Sequence, residues 1–375
     1  MPAVQIAPNV YWVGAVDPGV RDFHGYKTPV GTTYNAYLII DEHITLLDSV
    51  RHGFSDQLFA NISEVIDPAK IDTIICNHGE PDHAGSLAEV VQLCPNAPVY
   101  CSPNAQKTLK SYFGAGSWNL KVVKSGDTLS LGKYTVHFLL TPMVHWPDSM
   151  ASYIPQLKLL FSNDGFGQHI ATEERFADEV GYDCVYDRSR DYYANIIMPL
   201  SQPVKNTLAE VAKLDVEIIA PMHGAIWRER QGIQGIVQRY IDWTDYKTKP
   251  ELAVIAYDTM WHSTEAMAET LAQQLRDQGK QVSVFSLRRS HISQVVAAAM
   301  EAETIYIGSA TLNRGMMPQV AALLCYMKGL GFRNRVGRAF GSFGWSGEAP
   351  AQIDAALKEL GFDTTEPWRL NYKPE

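Results

Sequence analysis

The stretch "CNHGEPDHAG", residues 76–85, sets two imidazoles and two carboxylates, His78, Glu80, Asp82 and His83, directly after the apolar run "IDTIIC". Like charges packed this closely repel one another, so four ligand-type side chains from one short loop make sense when a cation lies among them. The same grammar of an apolar run followed by a ligand recurs at "TPMVHWPDS" (His145), "LLFSNDGFG" (Asp164) and "IIAPMHGAI" (His223). Seven such groups suit two metal ions. Taken one at a time, each is explained as a cap, a satisfied core histidine or a solvated turn. Together, at the ends of successive strand-like runs, they are not. His43, His52, His137 and His291 have no companion ligand in the sequence and read as structural.

The composition fits this reading. A chain of 375 residues with 46% hydrophobic side chains is long enough for two domains with ordinary cores. A net charge of −9 without a block of like charges argues against a nucleic-acid or membrane-surface protein and favours small-molecule or protein partners. The cysteines Cys76, Cys94, Cys101, Cys184 and Cys325 are odd in number and never form CxxC, so neither a disulfide framework nor a thiolate metal ribbon is expected. A reducing, cytoplasmic setting is expected. "MPAVQIAPNVYWVG" lacks a basic leader, and no apolar run approaches ~18 residues, so neither signal peptide nor membrane span is expected.

Between residues 8 and 245, short strand-like runs such as "VYWVGA", "TYNAYLII", "HITLLDSV", "APVYCS" and "YTVHFLLTP" dominate, with helical spacing in "SDQLFANISEVI" and "GSLAEVVQLC". Packed sheets with helices outside are expected there. After "DYKTKPE" the pattern changes to strictly alternating strands and helices, from "LAVIAYD" to "TTEPWRL". Five strands with intervening helices predict a doubly wound parallel sheet, with ligands at the carboxyl ends of its strands. The turn after its first strand, Thr259 to Thr264, opens a helix whose free N–H groups attract phosphate, although Ser and Thr there also fit ordinary capping.

HxExDH followed by an isolated His, Asp and His resembles the metallo-β-lactamase-like αββα sandwich. The zinc hydrolases of that fold usually carry HxHxDH; Glu80 in place of the second His is the signature of the flavodiiron proteins, and this chain is similar to that family. The resemblance implies an α/β protein with a diiron domain over 1–248 and a flavodoxin-like FMN domain over 249–375. The sequence stops after "WRLNYKPE", where the family continues into a final helix, so that helix is expected to be absent. It further implies that His78, Glu80 and His145 hold one iron, that Asp82, His83 and His223 hold the other, and that Asp164 bridges them. Three carboxylates and four neutral imidazoles leave one positive charge on two divalent ions, which a bridging hydroxide neutralises, and hard oxygen donors favour iron or manganese over zinc. His24 in "RDFHGY" and Tyr193 in "RDYYAN" match family residues near the metals, as proton donors or hydrogen-bond partners, although Tyr192 and Tyr193 equally suit a sandwich core. The role of His169 is left open.

By the same resemblance FMN phosphate lies on Thr259, Met260, Trp261, His262, Ser263 and Thr264. The ring lies among Met260, Trp261, the loop Thr311, Leu312, Asn313, Arg314 and Gly315, and the loop Ser342, Phe343, Gly344, Trp345, Ser346 and Gly347. His262 stands where flavodoxins commonly have Gly. The implied activity is reduction of NO to N2O, of O2 to water, or both, with FMN relaying electrons. The sequence is nearest to members with a fused rubredoxin module, but it lacks paired CPxCG motifs, so either a rubredoxin-type or other external donor is expected, or such a module has been removed from it. Arg333, Arg335 and Arg338 are candidates to dock an acidic donor, or are scattered surface charges. A head-to-tail homodimer or dimer of dimers is implied, bringing one subunit's flavin to the other's metals. The competing reading is a zinc hydrolase of the same sandwich fold with an accessory flavodoxin-like module.

Overall fold

Short β-branched and aromatic runs bounded by turn residues pair into sheets because neither face of a lone strand can be buried. The computed structural model describes residues 2–372 and resolves these runs into two compact units. One comprises residues up to Phe23, Thr28–Tyr192 and Gln202–Ile241; the other comprises His24–Lys27, Tyr193–Ser201 and the chain from Asp242 onward. The units are therefore not contiguous in sequence, a feature that periodicity does not reveal.

In the first unit, a seven-stranded sheet runs Val4–Ala7, Val10–Trp12, Tyr37–Ile39, Thr45–Leu47, Thr73–Cys76, Val99–Cys101, Leu120–Val122. A five-stranded sheet runs Thr128–Ser130, Thr135–Leu140, Met150–Ile154, Leu159–Asn163, Ile218–Pro221. Alternate residues of both sheets meet in one core: Trp12, Tyr37, Leu47 and Ile75 from the first, Phe138, Met150, Ile154 and Phe161 from the second. The outer face of the larger sheet, with Leu38, Leu46, Ile74 and Cys76, is covered by Leu58 and Ile62 of helix Ser55–Ser63 and by Ala105 and Leu109 of helix Pro103–Phe113. On the outer face of the smaller sheet, Tyr153 and Leu160 pack against Val211 and Leu214. This is the expected αββα order. Both strands that precede the first and third ligand segments, Thr73–Cys76 and Leu159–Asn163, are buried along their whole length. Their C-terminal ends are consequently fixed platforms for the ligand-bearing turns.

The second unit carries a sheet in the order Gln281–Ser286, Lys249–Asp258, Ala302–Ser309, Val336–Phe343, Asp363–Asn371, with every pair parallel. Numbered along the chain this is 2-1-3-4-5, whose topological switch lies between the first and third strands. Pro367 falls in the edge strand Asp363–Asn371, where a missing N–H is tolerated. Among the described residues, no helix is long and apolar enough to cross a membrane.

Candidate metal centre and loop cavity

The ligand segments converge because each leaves a strand at the same edge of the sandwich. After Thr73–Cys76 the chain turns through His78 and Glu80 into the short helix Pro81–Ala84, which presents Asp82 and His83. Asp164 comes directly after Leu159–Asn163, and His223 lies two residues beyond Ile218–Pro221. The result is two adjoining clusters, His78 with Glu80, His145 and Asp164, and Asp82 with His83 and His223. Glu80 Oε2 lies 3.0 Å from His78 Nε2 and 3.2 Å from His145 Nε2. Asp82 Oδ2 lies 3.0 Å from His223 Nε2 and 3.5 Å from His83 Nε2. Asp164 divides its carboxylate between them. Its Oδ2 faces His145 at 3.6 Å and His78 at 3.7 Å, while its Oδ1 faces His83 at 3.1 Å and His223 at 3.6 Å. All seven sequence-predicted ligand residues are thus brought together.

The donor chemistry fits two small cations. Both carboxylate oxygens of Asp82 and of Asp164, and both ring nitrogens of His83, are buried without a hydrogen-bond partner among the described residues. Each such atom costs about 1–3 kcal/mol unless something else satisfies it. Burial alone would push Asp164 up, but the fields of His83, His145 and His78 outweigh it and hold the carboxyl well below its usual range. Burial likewise depresses His83, yet Asp82 and Asp164 lift it to about 9. The Asp164 carboxylate is thus held charged and His83 protonated, and a divalent cation entering the cluster displaces that proton.

A surrounding layer that sequence pattern did not single out orients the histidines. His78 Nδ1 meets Asp148 Oδ1 at 3.0 Å, and His223 Nδ1 donates to the Thr33 carbonyl at 2.6 Å. Asp148 lies three residues beyond His145 in "HWPDS", the one signal that pointed to it. The Trp146 ring packs edge-on to His78 at 5.2 Å. His169, left open from sequence, bonds Thr32 Oγ1 through Nδ1 at 2.6 Å and packs against His223 at 4.6 Å, Phe23 at 4.7 Å and Tyr192 at 5.1 Å.

His24 and Tyr193, matched by resemblance to family residues near the metals, belong to the second unit. Tyr193 is fully buried, its hydroxyl paired with Ser201 Oγ at 2.9 Å and its ring 5.0 Å from Trp243, whereas the ring of Tyr192 is the one that meets His169 and, at 6.2 Å, His223. Neighbouring residues on a helix point about 100° apart, so a one-residue step exchanges these surroundings. His24 is exposed with a left-handed backbone, φ 50°.

In the second unit, the three predicted loops surround a cavity of about 640 Å³ at the carboxyl ends of the parallel strands. Met260, Trp261, Ser263, Thr311, Asn313, Arg314 and Ser342 to Ser346 line it, joined by Ala310 and Tyr372, which sequence reading missed. Trp261 and Trp345 stand 86% and 93% exposed at this cavity. Thr259 Oγ1 is buried without a partner among the described residues, at the turn before helix Ser263–Asp277, where an anion finds free N–H groups. Thr264 lies deeper, its hydroxyl 2.9 Å from that of Ser342. His262 caps the helix at φ 65°, which explains a preference for glycine there, and its ring turns outward to Glu265 Oε2 at 2.6 Å. Leu312 and Gly315 close their loop by pairing with each other. The Gly347 carbonyl accepts from Arg369 Nη2.

The expected arginine patch is corrected at Arg335. Only 2% exposed, its guanidinium donates to the main-chain carbonyls of Met300, Tyr246 and Arg333, so it ties segments of the unit together and presents no charge to a partner.

Residues 32–224 match the family described as ODP family beta lactamase, and residues 255–375 match flavodoxin. The chain is 43% identical to a nitric oxide reductase of Moorella thermoacetica, over 95% of this chain and 89% of that one. It is 43% identical to a rubredoxin-oxygen oxidoreductase of Megalodesulfovibrio gigas, over 97% of this chain and 91% of that one. The solved flavodiiron protein of Giardia intestinalis superposes with a TM-score of 0.97 at 34% identity, over 100% of this chain and 92% of that one.

Proposed function

The chain belongs to the flavodiiron protein family, and from that premise we propose that this oxidoreductase reduces NO to N2O, O2 to water, or both, at a pair of irons refilled by FMN. The single observation that carries the reading is Asp164, whose two carboxylate oxygens face two separate donor clusters, each holding two imidazoles and one carboxylate of its own. His78, Glu80 and His145 would hold one iron, and Asp82, His83 and His223 the other. FMN would take the cavity among Trp261, Arg314 and Trp345, with its phosphate on the turn Thr259 to Thr264. When bound, the irons supply two electrons, enough for two NO to give N2O and water, and the flavin supplies the two more that O2 needs to give two waters.

The chain's own residues bind, orient and shield. Asp148 fixes His78 so that Nε2 faces Glu80, and the Thr33 carbonyl does the same for His223. The rings of Trp146, Phe23 and Tyr192 wall the histidines with apolar surface, which keeps bulk water from the cluster and strengthens its electrostatics. Proton supply to the reacting gas is assigned to His24 and Tyr193. An external rubredoxin-type donor and a head-to-tail homodimer complete the proposal. The nearly bare Trp261 and Trp345 beside the cavity are surfaces that such an assembly would cover.

The test is anaerobic reduction of the iron- and flavin-loaded protein, then separate assays of NO and O2 consumption. Turnover of at least one gas is expected, and Asp164→Ala should lose both irons and the activity. A colourless zinc protein that consumes neither gas would return the chain to the hydrolase reading.

A further inference from the structure

The two donor sets are matched. Each has two imidazoles and one carboxylate, and each shares Asp164 through one oxygen. With the donor types matched, what stands behind the donors can set the two positions apart. Behind His78 stands a carboxylate: Asp148 Oδ1 is 3.0 Å from Nδ1, and its side chain is 2% exposed. Behind His223 stands the neutral carbonyl of Thr33, and His83 Nδ1 has no hydrogen-bond partner among the described residues. Asp48, another buried carboxylate nearby, acts more on His83 than on His78, but only through space. Its Oδ1 accepts from the Asn77 N–H at 2.7 Å, and its Oδ2 and His83 Nδ1 each lack a hydrogen-bond partner among the described residues, so it offsets part of the Asp148 effect without a direct bond to a ligand ring.

Asp148 is also held to its task. The Gly79 N–H donates to its Oδ2 at 2.9 Å, and the Ser102 hydroxyl donates to its main-chain carbonyl at 2.7 Å. A Cβ at residue 79 would come within 2.9 Å of both Asp148 Oδ2 and Thr108 Cγ2, so only glycine lets the carboxylate approach this closely. A carboxylate that accepts a ligand imidazole's N–H raises the donor strength of the ring and favours the more highly charged metal ion, and a buried charge is screened little.

We propose that Asp148 makes the two iron positions unequal, so that the half-oxidised pair carries its ferric ion at the His78, Glu80 and His145 position. The inference rests on the diiron reading above. In the step concerned, a one-electron oxidant such as a mediator dye takes one electron from the all-ferrous pair, and no bond to the protein forms or breaks. Asp148 acts through His78 and is a positioning residue.

The experiment is a mediated redox titration of the iron-loaded protein and its Asp148→Asn variant, monitored by EPR, with iron content measured on each sample. The half-oxidised pair has an odd electron count and is visible to EPR, whereas the all-ferrous and all-ferric pairs have even counts. Removing the charge should lower the ferric-to-ferrous ratio at this position by about tenfold at a given potential, 59 mV for one electron. Because this position is the first to be oxidised, its couple moves toward the second. The interval between the two steps narrows, and the maximal EPR signal falls. Asp148→Glu, which retains the charge, should restore the wild-type interval, with Asp148→Gln as its neutral counterpart. A widened interval would place the ferric ion at the other position, and unmoved couples would make Asp148 merely structural; either overturns the proposal. So would loss of iron from both neutral variants, since the carboxylate would then be needed to assemble the pair. A wild-type protein that holds no two irons, or gives no half-oxidised signal, fails the underlying diiron reading instead.

Discussion

The residue that separates this site from its hydrolytic cousins is Glu80, whose Oε2 sits between His78 and His145 where an imidazole would otherwise stand. A carboxylate there adds negative charge and a hard donor, which stabilises a trivalent ion as well as a divalent one. All seven candidate ligands were legible in sequence, because each ligand segment follows an apolar run with residue types that are costly to bury alone. Asp148 was not, since an acidic residue in a Pro-containing turn has an ordinary explanation and its partner His78 is 70 positions away. Tyr193 marks the opposite case, a role suggested by resemblance that geometry must judge. If its hydroxyl delivers protons, Tyr193→Phe should slow gas consumption about 100-fold with iron content unchanged. A loss of about 1 kcal/mol in urea denaturation at undiminished turnover would instead assign that hydroxyl to its Ser201 bond.

Among the elements, helix Pro103–Phe113 shows how the scaffold reaches the site. Its N-cap Ser102 accepts from the Ala105 N–H at 3.0 Å and donates to the Asp148 carbonyl at 2.7 Å, while Gly114 ends the helix in the left-handed conformation, φ 66°. Ser102→Ala should therefore cost about 1–2 kcal/mol in chemical denaturation, the usual worth of an N-cap. The helix escaped the sequence reading because its few apolar residues, Ala105, Leu109 and Phe113, are diluted by polar ones. The alternating strands and helices from Lys249 to Asn371 were legible almost throughout, since apolar runs flanked by Gly, Pro and polar turns leave little ambiguity. The strands Leu120–Val122 and Thr128–Ser130 were missed; at three residues each and largely exposed, they are too short for alternation to announce a strand.

For the protein in its entirety, two compact units with separate cores and separate cofactors should melt as two calorimetric transitions. Stripping iron with a chelator is expected to lower one, and removing FMN to lower the other, each by the binding free energy its ligand contributes, about 2.7 kcal/mol at a free concentration 100 times Kd. A single transition that both treatments shift equally would show that the units unfold together. Residue order alone was enough for the fold class, the strand-to-ligand grammar, the seven clustered side chains and the three loops that line the cavity, because burial cost and hydrophobic period are local properties written residue by residue. Folding in three dimensions was needed to divide the Asp164 oxygens between two clusters, to stand Asp148 behind His78, to bring Tyr192 to the histidines and to seal Arg335 inside. Those are contacts between segments far apart in the chain, and a pattern in one segment carries no information about the distance or direction of its partner in another.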